Sequence, residues 1–433
     1  MIVEFSVKNF RSIKDLQTIS FVATGLKSAE RYAGVDQYNI AEEASTHMFK
    51  TVGIYGANAS GKSNVIKAMD YFIDILRSQP SAKSNLGQLC DPFLYQENYG
   101  SEESFFQIVV IIKGVKYRYG ITVKTNDSDI LDAQDNRSNE IITNEWLFAN
   151  KVKNMTVLFE RKGIDLVKNN LDKKEAIPEL IPYAHSLYLT HAAAFDNSGA
   201  CKIITSYFQA YTISNFKFDH ENFRWMSMQY IKTDSERFPK KDFLELLASF
   251  NLRYDDVYLQ EGIEDNREIV FPQDKITLIK KIKTNSGNFN VKLNLKNNES
   301  AGSQKLFDLA GLLLLTFSFQ EPAFIILDEI DSNFHPSLLI QLVKLFNDPT
   351  INRSNSQLLF TSHDTNLMSP AIMRRDQFYF TEKNEDNSSR LYSLADLKGI
   401  RNDADFAKQY LAGYYGALPI LVDYSHPNSD LND

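Results

Sequence analysis

The chain has 433 residues, 43% of them hydrophobic, enough to bury one large core or two moderate ones. Acidic residues outnumber basic ones by 55 to 47, and the net charge of −8 excludes a broadly basic surface that coats nucleic acid. Its two cysteines, Cys90 and Cys201, lack the close Cys/His spacing of a zinc site, and so few thiols suit a reducing cytosol, so the chain is expected to be cytoplasmic.

In chain order, the first segment alternates like a strand and carries Glu4, Lys8 and Arg11, which is unlike a signal peptide. Thr51-Val52-Gly53-Ile54-Tyr55 then reads as a short buried strand. Downstream, Val65, Met69, Phe72, Ile73 and Leu76 repeat at helical spacing. Between them Gly56-Ala57-Asn58-Ala59-Ser60-Gly61-Lys62-Ser63 fits the phosphate-binding loop in the strand-to-helix context that loop requires, which points to nucleotide binding. Glycines let backbone N–H groups close around phosphate oxygens, and the helix N-terminus adds partial positive charge. Lys62 is expected to reach the outer phosphates and Ser63 to ligate Mg²⁺.

Phe105 to Ile112 and Val115 to Val123 read as a hairpin turning at Lys113-Gly114, with Tyr117, Tyr119, Ile121 and Val123 on the buried face. The polar runs 125–129 and 135–139 give the clearest loop signal. From about 140 to 290 the pattern is mixed, with a helix over Lys240 to Phe250 and aromatic pieces such as Phe216 to Trp225 that suit a core better than a base-stacking platform. Lys280, Lys281, Lys283, Lys292 and Lys296 surround Phe289 in a strand-like region, and Arg374-Arg375 forms another basic spot. Solvated sheet faces produce such clusters routinely, so nucleic-acid contact there is only weakly supported.

Ser300-Ala301-Gly302-Ser303 opens a helix with Leu306, Leu309, Ala310, Leu313, Leu314 and Phe317 as its apolar positions. Ser300 or Ser303 suits a helix cap, and the turn also suits a second anion site. The greasiest helical stretch, Leu309 to Phe319, falls far short of the roughly 20 residues a membrane span needs, and no membrane partner is expected. Phe324-Ile325-Ile326-Leu327-Asp328-Glu329 is an apolar run ending in two acids, as when a buried parallel strand delivers carboxylates to the carboxyl edge of its sheet. Asp328 is expected to hold Mg²⁺ and Glu329 to polarise the attacking water. Gln357-Leu358-Leu359-Phe360 is another apolar strand, followed by Thr361-Ser362-His363-Asp364. His363 is either a surface residue or, beside the other motifs, a contact to the γ-phosphate or the water.

These motifs in this order resemble the ABC-type AAA family ATPases of the SMC, RecF and OLD-nuclease clade, and the resemblance covers nearly the whole chain. Ile2 to Ile13, with Asn9-Phe10-Arg11-Ser12, is similar to the clade's first strand and turn, and Ile330-Asp331-Ser332-Asn333 to its Asp loop. Arg374 to Phe380 and Lys408 to Pro419 resemble prokaryotic anti-phage defence ATPases, RloA-like or AriA-like. The resemblance implies an α/β fold: an ABC-type P-loop NTPase with a mixed central sheet, a flanking antiparallel lobe, a helical insertion and no long coiled coil. It implies an N-terminal ATPase part at 1–125 with the phosphate loop, a variable insertion lobe at 126–290, and a C-terminal part at 291–433. ATP and Mg²⁺ are the implied ligands, with Glu329, His363 and Lys62 catalytic, and Ser63 and Asp328 on the metal. Gly56, Asn58, Ser60, Gly61, Lys62, Ser63, Asn64 and Arg11, with Ser300, Gly302 and Ser303 of the signature turn, are the implied nucleotide contacts.

Two departures stand out. Glu299 and Ala301 replace the Leu and first Gly of transporter signatures, and both Gln96 and Gln107 are candidates for the glutamine that completes Mg²⁺ coordination. The family closes its signature turn on a partner's nucleotide, which implies a head-to-tail, ATP-bridged dimer or higher oligomer. Two functions stay open: a sensor or scaffold ATPase controlling a separately encoded nuclease or Toprim-like effector in anti-phage defence, and a DNA repair or recombination ATPase of the RecF/SMC type that grips DNA. Only 364–433 follow His363, too little for a Toprim module, so the chain is not expected to cut DNA itself.

Overall fold

The computed structural model describes residues 1–97, 101–125, 140–150, 154–215, 220–232, 235–259, 276–285, 287–332 and 334–419. Strands β1 (Ile2–Lys8) and β2 (Gln17–Ser20) precede α1 (Ala33–Tyr38), a small hairpin of β3 (Ile40–Glu43) and β4 (Thr46–Phe49), then β5 (Thr51–Gly56) and α2 (Lys62–Arg77). A meander follows, made of β6 (Ser104–Ile112), β7 (Val115–Thr125), β8 (Glu140–Asn150), β9 (Met155–Lys162) and β10 (Asp165–Asn169). Next come α3 (Tyr188–Phe195), α4 (Ala200–Tyr211), β11 (Thr212–Asn215), α5 (His220–Lys232), α6 (Lys240–Ser249), β12 (Asp256–Leu259), β13 (Ile276–Thr284), β14 (Gly287–Asn294) and α7 (Leu295–Asn298). The last stretch holds α8 (Ala301–Ser318), β15 (Phe324–Leu327), α9 (Pro336–Asn347), β16 (Gln357–Thr361), β17 (Phe378–Lys383), β18 (Ser389–Ser393) and α10 (Phe406–Leu411).

Two sheets carry the architecture. The first is antiparallel, in the order β10-β9-β8-β7-β6-β1-β2, and the second runs β11-β15-β16-β5-β17-β18 with only the edge strand β18 antiparallel. β5 lies between β16 and β17 and is buried on both faces, which is why it reads as an unbroken apolar run. Val52 and Ile54 face one core, with α2 and the antiparallel sheet; Tyr55 faces the other, with α8, α9 and α10. Between those faces Gly53 is required for space, since a Cβ there would lie 2.6 Å from the Phe360 ring.

Helix α2 is held from both sides. Its Phe72 ring stacks on Phe106 and Tyr119 at 5.9 and 6.0 Å and meets Phe5 at 6.0 Å, while Val65, Met69 and Leu76 are buried as their spacing predicts. The β6–β7 hairpin turns through Lys113 and Gly114, both at positive φ (50° and 76°), the two-residue turn whose twist matches the strands. The helix expected over Lys240 to Phe250 is α6, and Tyr188, Tyr207, Phe208, Tyr230 and Phe243 are core residues.

The fold class agrees with the expectation: α/β, a mixed central sheet, a flanking antiparallel sheet, helices between them and, among the described residues, no helix longer than α8. The boundaries expected at 125/126 and 290/291 do not separate lobes. Strands β8 to β10 extend the sheet of β1, β6 and β7, β11 joins the central sheet, and residue 291 falls inside β14. Pairing across the sheet, which local sequence does not report, overrides the loop signal; the polar runs from 126 to 139 lie outside the described residues.

One buried ion pair fixes the outer half of the antiparallel sheet. Arg161 and Glu145, both with fully buried side chains, meet at 2.9 Å. Glu145 also accepts the Tyr119 hydroxyl (3.0 Å) and the first N–H groups of α3, from Tyr188 and Leu189 (2.8 Å each). Replacing Glu145 with Ala leaves a buried guanidinium unpaired and is expected to lower unfolding free energy by about 3–5 kcal/mol, read from urea denaturation; a loss below about 1 kcal/mol contradicts this account.

Candidate functional site

The carboxyl ends of β5, β15 and β16 converge on a cleft of about 430 Å³ lined by Arg11, Asn58, Gly61, Lys62, Ser63, Asn64, Glu329 and His363, among others. Residues from four distant stretches thus share one concavity at the strand ends, where ligands of α/β sheets bind. A larger cavity of about 710 Å³ lies between α1 and the end of α9, beside the strand beginnings, and holds none of the motif residues.

The loop after β5 is shaped by β17 and β18. Gly56 (φ 147°) and Gly61 (φ 112°) sit in backbone conformations that favour glycine, and added Cβ atoms would lie 2.4 Å from the Thr381 carbonyl and 2.2 Å from Ser389 Oγ. Ser60 is buried and its hydroxyl shares a hydrogen bond with Thr381 Oγ1 at 2.5 Å, while its carbonyl accepts from Ser389 Oγ at 2.7 Å. Ser12, from the turn after β1, bonds both Asn64 Nδ2 and Ser389 Oγ at 2.7 Å. Lys62 folds over the loop, donating to the carbonyls of Gly56 (2.9 Å) and Ala57 (3.0 Å). Burial lowers its pKa, opposed by Asp328, Glu329 and Asp331.

The acids are fixed by Thr361, at the end of β16. Its hydroxyl donates to Asp328 Oδ1 and accepts the Glu329 N–H at 2.7 Å, and its carbonyl accepts from Ile330 at 3.1 Å. Glu329 lies at φ 52°, uncommon for a side chain of its size and held there by these contacts. Burial raises the Asp328 pKa, opposed by hydrogen bonds from Thr361 and Ser63 and by Lys62. Asp331 Oδ2 accepts the His363 N–H at 3.2 Å, tying the loop after β15 to the loop after β16. Burial and Lys62 lower the His363 pKa, opposed by Asp331, Glu329 and Asp328, so the imidazole is neutral at pH 7.

Arg11 donates to Asp91 Oδ2 at 2.7 Å and stacks over the rings of Phe10 and Tyr71, which aims it along the cleft wall. Of the two glutamines, Gln107 accepts from Trp146 Nε1 at 3.3 Å on the antiparallel sheet. Gln96 follows Leu94 and Tyr95 of the cleft wall without lining the cleft itself, and its buried Nε2 has no hydrogen-bond partner among the described residues. Ser300, Gly302 and Ser303 do not line the cleft: Ser300 caps α8 by accepting the Ser303 N–H at 3.2 Å. Asn333 lies outside the described residues.

Arg374, part of the second basic spot, is 6% exposed and bonded to Asp376 and Asp36, a structural ion pair rather than a nucleic-acid contact. Lys281, Lys283, Lys292 and Lys296 are exposed. Thr361, Thr381, Ser389, Lys383 and Asn387 were not singled out from sequence. Thr361 stands inside the Thr-Ser-His-Asp motif, but the β17–β18 residues carry no motif and reach the loop only through strand pairing.

Ser63 and Asp328 offer hard oxygen donors, already hydrogen-bonded to one another, and fit a magnesium ion. Among the described residues no cluster of three or more His, Cys, Asp or Glu side chains could hold a metal, and no helix is long and apolar enough to cross a membrane.

A two-sheet α/β body with a phosphate-binding loop facing an Asp-Glu strand end and a histidine defines a P-loop protein of the AAA/ABC class. The family model described as "AAA domain, putative AbiEii toxin, Type IV TA system" matches residues 52–369, and the chain belongs to that family. Two solved structures of the recombination mediator protein RecF in the RecFOR pathway, one titled RecF-ATP and the other RecF-ATPrS, are similar at 12% and 13% identity. They cover 91% and 90% of this chain and 99% and 98% of their own, with TM-scores of 0.32 and 0.31. No curated protein matches the chain.

Thr361→Val keeps the shape but leaves the Asp328 carboxylate and the Glu329 N–H without their partner. It is expected to cost about 1–3 kcal/mol in denaturant unfolding. Nucleotide turnover should fall at least about tenfold, as an interaction orienting both acids is lost. Because the His363 pKa lies below 6.5, the acid limb of a turnover–pH profile should fall below that value in the wild type and change shape in His363→Gln.

Proposed function

We propose that the chain binds ATP and hydrolyses it to ADP and phosphate, as the sensor or scaffold subunit of a prokaryotic anti-phage defence system that controls a separately encoded effector. The observation that carries the ATPase reading is the convergence of Lys62, Ser63, Glu329 and His363 on one cleft, with buried Asp328 hydrogen-bonded to Ser63 behind it. Backbone N–H groups of the loop and Lys62 bind the phosphates, so catalysis is positioning and charge stabilisation rather than covalent chemistry. Glu329 orients and polarises the water, and neutral His363 is a hydrogen-bonding group toward the γ-phosphate. Magnesium, held by Ser63 and Asp328, would supply positive charge to the phosphates.

Ser300, Gly302 and Ser303 lie outside their own chain's cleft, which supports a head-to-tail dimer in which each signature turn completes the partner's site. The family's description as a putative toxin of a toxin–antitoxin system supports the defence assignment. The effector in this reading is a nuclease or Toprim-like protein, and the acidic surface suits docking a basic partner.

A second reading, a repair or recombination ATPase that binds DNA, is favoured by one feature. The β13–β14 ribbon exposes Lys281, Lys283 and Lys292 with Phe289 at 52% exposure. ATP turnover measured with and without duplex DNA, alongside mass in solution, separates the two. Turnover indifferent to DNA from an oligomer supports the defence subunit; strong stimulation, lost in Lys281→Glu/Lys283→Glu, supports DNA binding. Glu329→Gln is expected to bind ATP and accumulate as a stable dimer by light scattering; a monomer at saturating ATP argues against shared sites.

A further inference from the structure

Three buried polar atoms beneath the acidic loops have no hydrogen-bond partner among the described residues: the Tyr55 hydroxyl, Asp331 Oδ1 and Asp364 Oδ2. They come from the carboxyl ends of β5, β15 and β16, neighbours in the central sheet. Tyr55, 1% exposed, immediately precedes Gly56, and its ring is wedged among Phe360, Phe378 and Phe380 at 5.9 to 6.4 Å. Its phenol is held un-ionised by burial first, then by Asp364 and Asp331, which lie within electrostatic reach.

The other oxygen of each acid is occupied. Asp331 Oδ2 accepts the His363 N–H at 3.2 Å, and Asp364 Oδ1 accepts from the Asn366 backbone at 2.8 Å and its side chain at 2.5 Å. Two carboxylate oxygens therefore need a donor, and a phenol has one O–H to give. Leaving such groups unpaired inside a protein is costly, so a cluster of this composition favours rearrangements that pair them.

We infer that the Tyr55 hydroxyl is a positioning group for the reaction, taken in turn by Asp331 and Asp364 as the cleft closes on and releases nucleotide. Tyr55 does not line the cleft and touches no reacting atom. It acts through Asp331, whose hold on the His363 backbone changes with whichever carboxylate has the phenol. The strand carrying the phosphate loop is thereby coupled to the Asp loop and His363 through one hydrogen bond with two acceptors, the kind of two-state element that coupling between loops requires. This inference rests on the ATPase reading above.

The test uses the full chain as wild type, Tyr55→Phe, Asp331→Asn and the double variant, with kcat, ATP Kd and Tm measured on each. Tyr55→Phe removes a hydroxyl that has no partner among the described residues, so Tm is expected to hold or rise and Kd to stay within about twofold, while kcat falls about tenfold or more. The double variant should fall no further than the worse single one, because both remove the same bond. Full turnover in Tyr55→Phe, parallel losses of Tm and kcat, or additive losses in the double variant each overturn the inference. A wild-type chain that binds but never turns over ATP overturns the ATPase reading with it, whereas an active wild type beside an equally active Tyr55→Phe overturns only the role of the phenol.

Discussion

The position of α2 is the constraint on which the rest depends. Its buried faces touch both sheets at once, so the antiparallel sheet and the central sheet have no freedom to slide without unpacking Phe72 from Phe5, Phe106 and Tyr119. Interiors packed at this density resist small shifts. The first residue of that helix is Lys62, so the packing of a phenylalanine about three turns away sets where the ammonium group can reach. The loop before it has equally little choice, since Gly56 and Gly61 lie against Thr381 and Ser389 where a side chain has no room.

The catalytic side of the cleft is organised from the opposite direction. Thr361 locks the Asp-Glu turn to the end of β16, and Asp331 locks the following loop to His363. Lys305, near the start of α8, donates to Ser332 Oγ at 2.8 Å, so the signature helix also reports on that loop. α8 is in turn pinned to α5 by Arg224 and Asp308, a buried two-point pair at 3.1 Å. Removing one member of such a pair costs more than the pair contributes.

What the sequence made legible was what is local. The phosphate loop needs a strand, a fixed set of glycines and a helix within about 25 residues, and each signals itself through its own periodicity. The acidic strand was legible because burial on both faces forces an apolar run, and the Lys113-Gly114 turn because its backbone conformation favours glycine. Thr381 and Ser389 were illegible for the converse reason: nothing near them resembles a motif, and they matter only because β17 pairs with β5 across more than 300 residues. The same blindness to pairing made a loop look like a domain boundary when β8 simply continues the sheet of β7. Arg374 beside Arg375 read as a basic spot because sequence does not show the distant Asp36 that pairs with it, nor that Asp376 two residues on turns back to bond it.

The signature turn shows how a capping reading and a functional one can both hold. Ser300 caps α8 by accepting from Ser303, and a capped helix is well ordered at its first turn. Capping satisfies only part of the N-terminal backbone donors, and the remaining N–H groups and the helix dipole still favour an anion. Ser300 is exposed, and in the phosphate loop of the same chain Asn58 and Ala59 are exposed while Ser60 is held against β17 and β18. An ordered, exposed turn outside its own cleft is what the proposed head-to-tail dimer requires of Ser300 to Ser303.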